Sequence, residues 1–135
     1  MLSRREALAS LAAAPAIGLG PAGAQSNFYA GKTLNIIVGS STGGYYDTAG
    51  RTIARHLSRF IPGRPSIVVQ NQPGAGGLAI ANKLAHTLDR DGLSIVVMSR
   101  ALPQLAFLND PNANFDPLKL TWLGSLSSYK DDAYL

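Results

Sequence analysis

From Thr33 onward the chain repeats one pattern: a short continuous apolar run, a glycine-rich turn, then apolar residues at helical spacing. Thr33 to Val38 (TLNIIV) is β-branched and apolar and stops at Gly39, which predicts a buried strand. From Asp47, the residues Ala49, Ile53, Leu57 and Phe60 recur at intervals of four, four and three, while Arg51, Arg55 and Arg59 fall on another face. The spacing predicts an amphipathic helix with Asp47 as N-cap, a buried apolar stripe and solvated arginines, ended by Pro62-Gly63.

The pattern then recurs. Ser66 to Gln70 (SIVVQ) predicts a strand, Asn71 to Gly77 (NQPGAGG) a loop, and Leu78 to Leu88 a helix burying Ala81, Leu84, Ala85 and Leu88. Asp91-Gly92 turns the chain into a third strand, Leu93 to Met98. Strand, helix, strand, helix, strand at this spacing is βαβαβ, whose right-handed crossovers make the strands parallel. The fold class is therefore α/β, an open, mainly parallel sheet with flanking helices. Beyond Met98 the pattern weakens to a short helix at Pro103 to Leu108, a turn at Asp116-Pro117 and a further strand at Leu120 to Leu126 around Trp122. Ser127 to Leu135 has no periodicity, so the strand before it lacks a closing neighbour and the expectation is a truncated protein.

Ahead of this pattern stands a segment of another kind. Met1 to Glu6 is basic, Ala7 to Gly20 is an Ala- and Leu-rich run broken by Pro15 and Gly18, and Ala22-Gly23-Ala24 is a small-x-small site. These features predict an export signal over residues 1–24 and a periplasmic mature protein from residue 25. The run is too short and too broken to span roughly 30 Å of hydrocarbon as a helix. Ser3-Arg4-Arg5-Glu6-Ala7-Leu8 also resembles a twin-arginine signal.

Composition narrows the function. Cysteine is absent, so no disulfide supports this exported domain. Arg4, Arg5 and Glu6 leave with the signal, lowering the net charge from +4 to +3, a small excess that suits an anionic partner. Nucleic acid would require a basic patch with stacking aromatics, and no such cluster occurs. No grouping of His, Cys or paired carboxylates suits a metal, Asp131-Asp132 being a solvated pair, and no cofactor is expected.

The candidate chemistry lies in the two glycine loops. In an open parallel sheet, ligands bind outside the carboxyl ends of the strands. Gly39-Ser40-Ser41-Thr42-Gly43-Gly44-Tyr45-Tyr46-Asp47 leaves the first strand there, and Gly74-Ala75-Gly76-Gly77 follows the second. Each can aim backbone N–H groups at an anion, helped by a helix dipole equivalent to about half a charge. Either loop alone would serve equally as a tight strand-to-helix connection, whereas two on one edge favour a carboxylate site. A rival reading takes Gly39-Ser40-Ser41-Thr42-Gly43 as a G-x-S-x-G nucleophile elbow, with Ser41 the nucleophile of an α/β esterase. Little chain precedes it to build an oxyanion loop, and His56 and His86 read as surface residues rather than catalytic bases. A dinucleotide site would need G-x-G-x-x-G and an acidic residue about 20 positions on, where Gln70 and Asn71 stand.

Gly43-Gly44 with Asp47, Ala49 to Arg51, Val68 to Gly77 (VVQNQPGAGG), Asp91-Gly92, Phe115-Asp116-Pro117 and Trp122 to Ser125 together resemble the periplasmic receptors of tripartite tricarboxylate transporters, the Bug proteins. The resemblance implies a non-catalytic, periplasmic-binding-protein-like receptor of two lobes, closing over a small carboxylate destined for the membrane permease subunits. Residues 25–135 would then form the first lobe of a longer protein. It further implies ligand contacts from Ser40, Ser41, Thr42, Gly43, Gly44 and Tyr45, with Asp47 at the helix entry. Gly74, Ala75, Gly76 and Gly77 would complete the grip, and Ser99 would join it after the third strand. The chain departs from the family in carrying Thr42 where proline is common and Tyr45 where a third glycine is common. That change implies a different or larger ligand, with an aromatic wall at Tyr45 or Tyr46.

Signal removal after Ala24 is expected to leave Gln25 as the first residue. Mass spectrometry of periplasmic protein tests this, and a mature species retaining Met1 would refute it.

Overall fold

The computed structural model describes residues 28–125. The expected export signal, Leu126, Ser127 to Leu135 and the Asp131-Asp132 pair lie outside the described residues.

Three strands form one sheet in the order β2-β1-β3, with β1 at Thr33–Val38, β2 at Ser66–Asn71 and β3 at Ser94–Val97. Both pairings are parallel, as the βαβαβ pattern requires. The register sets Val38 opposite Asn71 on one side and opposite Val97 on the other, so all three carboxyl ends stop at one level. Strand β1 is central, and its residues Leu34, Ile36, Ile37 and Val38 are buried on both faces, which explains its continuous apolar run.

The first crossover carries helix α1 (Tyr45–Leu57) and the second carries α2 (Leu78–His86). The first crossover runs from central β1 out to β2 and the second runs back past β1 to β3, so right-handed connections in these opposite senses put α1 and α2 on opposite faces of the sheet. Helix α1 lies close because Gly50 faces the strands: a Cβ there would come within 2.9 Å of Val38 Cγ2. On α2, Leu78 and Ala81 pack with Leu102 of helix α3 (Leu102–Phe107) and with Phe115.

Several expectations need correction. Gly44, not Asp47, is the N-cap of α1; the helix begins at Tyr45, and the Asp47 carboxylate reaches back to the Gly43 amide. Phe60 lies outside the core at 72% exposure, with the Arg59 guanidinium over its ring. Arg55 and Arg59 are solvated, but Arg51 is half-buried and tied to Asp47 and Asn71. Helix α2 stops at His86 rather than Leu88, because the Lys83 carbonyl accepts from Thr87 N, Leu88 N and the Thr87 hydroxyl and closes the last turn. Buried Ile80, absent from the predicted stripe, packs under Gly39.

The predicted strand over Leu120 to Leu126 does not form across its described residues, 120–125. Asp116 instead starts a 3-10 turn at Pro117–Lys119 by accepting from the Leu118 amide. The Trp122 indole N–H then donates to the Pro117 carbonyl at 2.9 Å, folding the segment back on itself.

Gly50→Val would thrust a branched side chain into the interface of α1 with Val38. We expect a loss of about 1 to 3 kcal/mol, as for other overpacked cores, read as a lower urea midpoint at unchanged slope. An unchanged midpoint would refute close packing at Gly50.

Candidate functional site

The aligned strand ends collect three loops at one edge, and a cavity of about 330 Å³ opens between them. Ser40 and Ser41 enter it from the end of β1, Gly74 and Gly76 from the end of β2, and Ser99 from the end of β3. Gly39, Tyr46 and Pro73 complete the lining, which contains no charged side chain. This is the crevice where the strand order reverses beside β1, the usual ligand position in an open α/β sheet.

The two glycine loops cross in van der Waals contact. A Cβ on Gly39 would lie 2.7 Å from Ile80 Cγ2 and 3.3 Å from the Gly77 Cα, so only glycine fits the crossing. After it the second loop coils left-handed through three successive residues, with φ of 46° at Ala75, 65° at Gly76 and 95° at Gly77. Gly77 N donates to the Gly74 carbonyl and Leu78 N to that of Ala75. The amides of Ala75 and Gly76 precede these bonds and meet no acceptor among the described residues. Successive free N–H groups in such a turn form an anion-binding concavity. On the facing loop, the Ser40 and Ser41 amides likewise meet no acceptor among the described residues, and the Ser40 hydroxyl is buried without a partner there.

Asp47 shapes the first loop from behind. Its carboxylate is 2% exposed and accepts from Gly43 N at 2.8 Å, Arg51 Nε at 3.0 Å and Asn71 Nδ2 at 2.9 Å, while Arg51 Nη2 lies 3.0 Å from the second oxygen. Asn71 also donates to the Ser40 carbonyl at 3.0 Å and accepts from Arg51 at 3.0 Å, so the last residue of β2 is bolted to the loop after β1. Arg51 foremost, then the Gly43 and Asn71 hydrogen bonds, hold the carboxyl down from 3.8 to about 2 against the opposing effect of burial. Because Arg51 neutralises it, Asp47 does not repel an anion from the N-terminus of α1.

A UPF0065 protein in the gbd 5′ region of Cupriavidus necator is similar to this chain. The two are 29% identical over 126 residues, which cover 93% of this chain and 37% of the relative. The likeness therefore takes in both glycine loops, and the chain spans little more than a third of the relative's length. No family model matches the chain.

Of the site residues expected from the sequence, Ser40, Ser41, Gly74, Gly76 and Ser99 meet in the cavity. Thr42, Gly43, Gly44 and Tyr45 lie on the exposed rim beside it, with Ala75 on the exposed side of the second loop. Asp47 and Gly77 are buried behind the lining, one anchoring the first loop and the other packing the crossing. Arg51 and Asn71 both fall in segments that carried the family resemblance, but neither was given a role at the site, because their pairing with each other and with Asp47 joins positions distant along the chain. Gly39 and Pro73 line the cavity without having been assigned a ligand contact, and Tyr46 was anticipated only as one of two candidate walls.

The geometry does not assemble an esterase around Ser41. Positive φ outside glycine occurs only at Arg64, Ala75 and Asn109 among the described residues, so Ser41 lacks a strained elbow. His56 lies about three turns along α1, roughly 16 Å from its first residue, Tyr45, at 1.5 Å per residue. His86 ends α2 at the opposite pole and bonds to the Asn114 carbonyl.

Asp47 contributes stability that is fully present above about pH 3.8 and is lost as pH falls toward 2, because its folded pKa lies below its unfolded one. In urea titrations from pH 5 to pH 2, wild type should lose its advantage over Asp47→Asn across that window. A constant gap between the two would contradict the role of the ionised carboxylate.

Proposed function

We propose that this chain is the ligand-gripping lobe of an extracytoplasmic solute-binding receptor that captures a small carboxylate for a tripartite tricarboxylate-type membrane transporter. The observation that carries this reading is a cavity whose lining residues Ser40, Ser41 and Gly76 have amides that meet no acceptor among the described residues, with no charged side chain in its wall. Such donors match a carboxylate, and each hydrogen bond to a charged group contributes about 1.5 to 3 kcal/mol when water is excluded. The likeness to the UPF0065 protein supports a receptor of the Bug type, and the separation of Ser41 from both histidines favours binding over hydrolysis. The protein acts in the periplasm and without a cofactor, and its partners are the carboxylate and the permease subunits.

In this reading a second lobe covers the cavity. The lobe described here, open to solvent, holds its ligand by bonds that compete with water. Residues 25–135 should therefore bind succinate, malate, citrate or glutamate no tighter than about millimolar, near −4 kcal/mol. Calorimetry decides this, and micromolar binding by a monomer would overturn the shared-cleft reading. In a protein carrying both lobes, Gly76→Val should weaken binding more than Arg55→Ala, since Gly76 has a φ of 65° that a β-branched residue resists and Arg55 is solvated. The reverse order would exclude a backbone grip.

A further inference from the structure

We infer that the cavity selects an aromatic carboxylate, with Tyr46 as the specificity-determining residue. This rests on the carboxylate reading above and adds what lies beside the carboxylate.

Tyr46 stands in the first turn of α1 and lines the cavity. Its hydroxyl donates to Ser99 Oγ at 3.2 Å, which fixes the ring relative to the end of β3. Ser99 Oγ also accepts from the Ala101 amide at 3.3 Å, so the serine's own proton remains for a ligand oxygen. One hydrogen-bonded pair thus sets an aromatic wall beside a donor to the carboxylate. Tyr45 extends the wall toward solvent: its ring meets that of Tyr46 edge-on, with centroids 5.3 Å apart at 79°, and remains 62% exposed. Such an exposed aromatic pair has ring surface to offer a ligand.

The charge of the lining points the same way. The amides of Ser40, Ser41 and Gly76 can satisfy one carboxylate, but no lysine or arginine lines the cavity to pair with a second. Beside the Tyr46 ring a second charge would meet no cationic side chain from the described lining. A planar unsaturated body in that position gains ring-to-ring contact instead. An aromatic contact of this kind corresponds to about tenfold in affinity, or about 1.4 kcal/mol.

The test titrates the ¹⁵N-labelled chain with benzoate, cyclohexanecarboxylate and succinate at millimolar concentrations, following the amides of Ser40, Ser41 and Gly76. All three ligands should shift these amides, with benzoate about tenfold tighter than cyclohexanecarboxylate, which matches it in charge and approximate size but lacks the π face. Tyr46→Leu should abolish that preference, and Tyr46→Phe should keep it while weakening both ligands. Should Tyr46→Leu not fold, nuclear Overhauser contacts between benzoate and the Tyr46 ring in the unmodified chain decide the matter. Their presence supports the inference, and their absence while the amides shift overturns it. Equal affinity for benzoate and cyclohexanecarboxylate overturns the aromatic selectivity and leaves the carboxylate reading intact. If no ligand moves the amides, both fall.

Discussion

A carboxylate taken out of water must be surrounded by donors, and at Asp47 that requirement organises the loop edge of the sheet. Its oxygens are met by the Gly43 amide, the Arg51 guanidinium and the Asn71 amide group. Each partner comes from a different part of the structure: the first loop, the second turn of α1 and the last residue of β2. Satisfying one charge therefore fixes the path of the chain from Gly39 to Gly44 relative to the neighbouring strand. Asn71 continues the chain of bonds to the Ser40 carbonyl, which orients that peptide from behind.

The consequence is a division of labour within one short segment. The charged and amide side chains behind the loop are consumed by structure, while the amides of Ser40 and Ser41 on its cavity side remain available. The second loop reaches the same end by other means, with a left-handed coil at Ala75, Gly76 and Gly77 in place of a side-chain anchor. Ala75 accepts an unfavourable positive φ there, a strain that surrounding structure must hold and that commonly marks a ligand clamp. The crossing of Gly39 with Gly77 then sets the distance between the two loops, because neither position has room for a side chain toward the other.

The parts of this architecture that depend on periodicity were legible in the sequence. The apolar runs of β1, β2 and β3 and the helical spacing in α1 and α2 lead directly to a parallel sheet, and parallel strands force their following loops to one edge. What depends on partners distant in sequence was not legible. Arg51, Arg55 and Arg59 share one spacing, yet only Arg51 stands near enough to the end of β2 to reach Asn71. Trp122 reads as the centre of a strand until the Pro117 carbonyl is found beside its indole. Asp47 announced a helix start correctly in kind, but its length allows it to cap from inside the first turn as well as from the cap position.

Recognition built on amides and hydroxyls has a chemical character distinct from recognition by arginine or lysine. Backbone donors do not titrate, do not change rotamer and carry no net charge, so they hold a carboxylate by geometry. They favour an anion only so far as water is kept away. They also say little about the rest of the ligand, because every carboxylate presents the same two oxygens. Selectivity must then come from whatever touches the body of the ligand, and within this lobe that surface is narrow. Ser40, Ser41, Gly74 and Gly76 line the cavity from the two loops, with Tyr46 and Pro73 as the bulkier lining groups. Of these, Tyr46 is tied by its hydroxyl to Ser99, another lining residue, so that a shift of the ring also moves the Ser99 hydroxyl. Under the proposed carboxylate reading, this hydrogen-bonded pair couples the surface facing the ligand body to a donor, and the glycine loops remain a general grip.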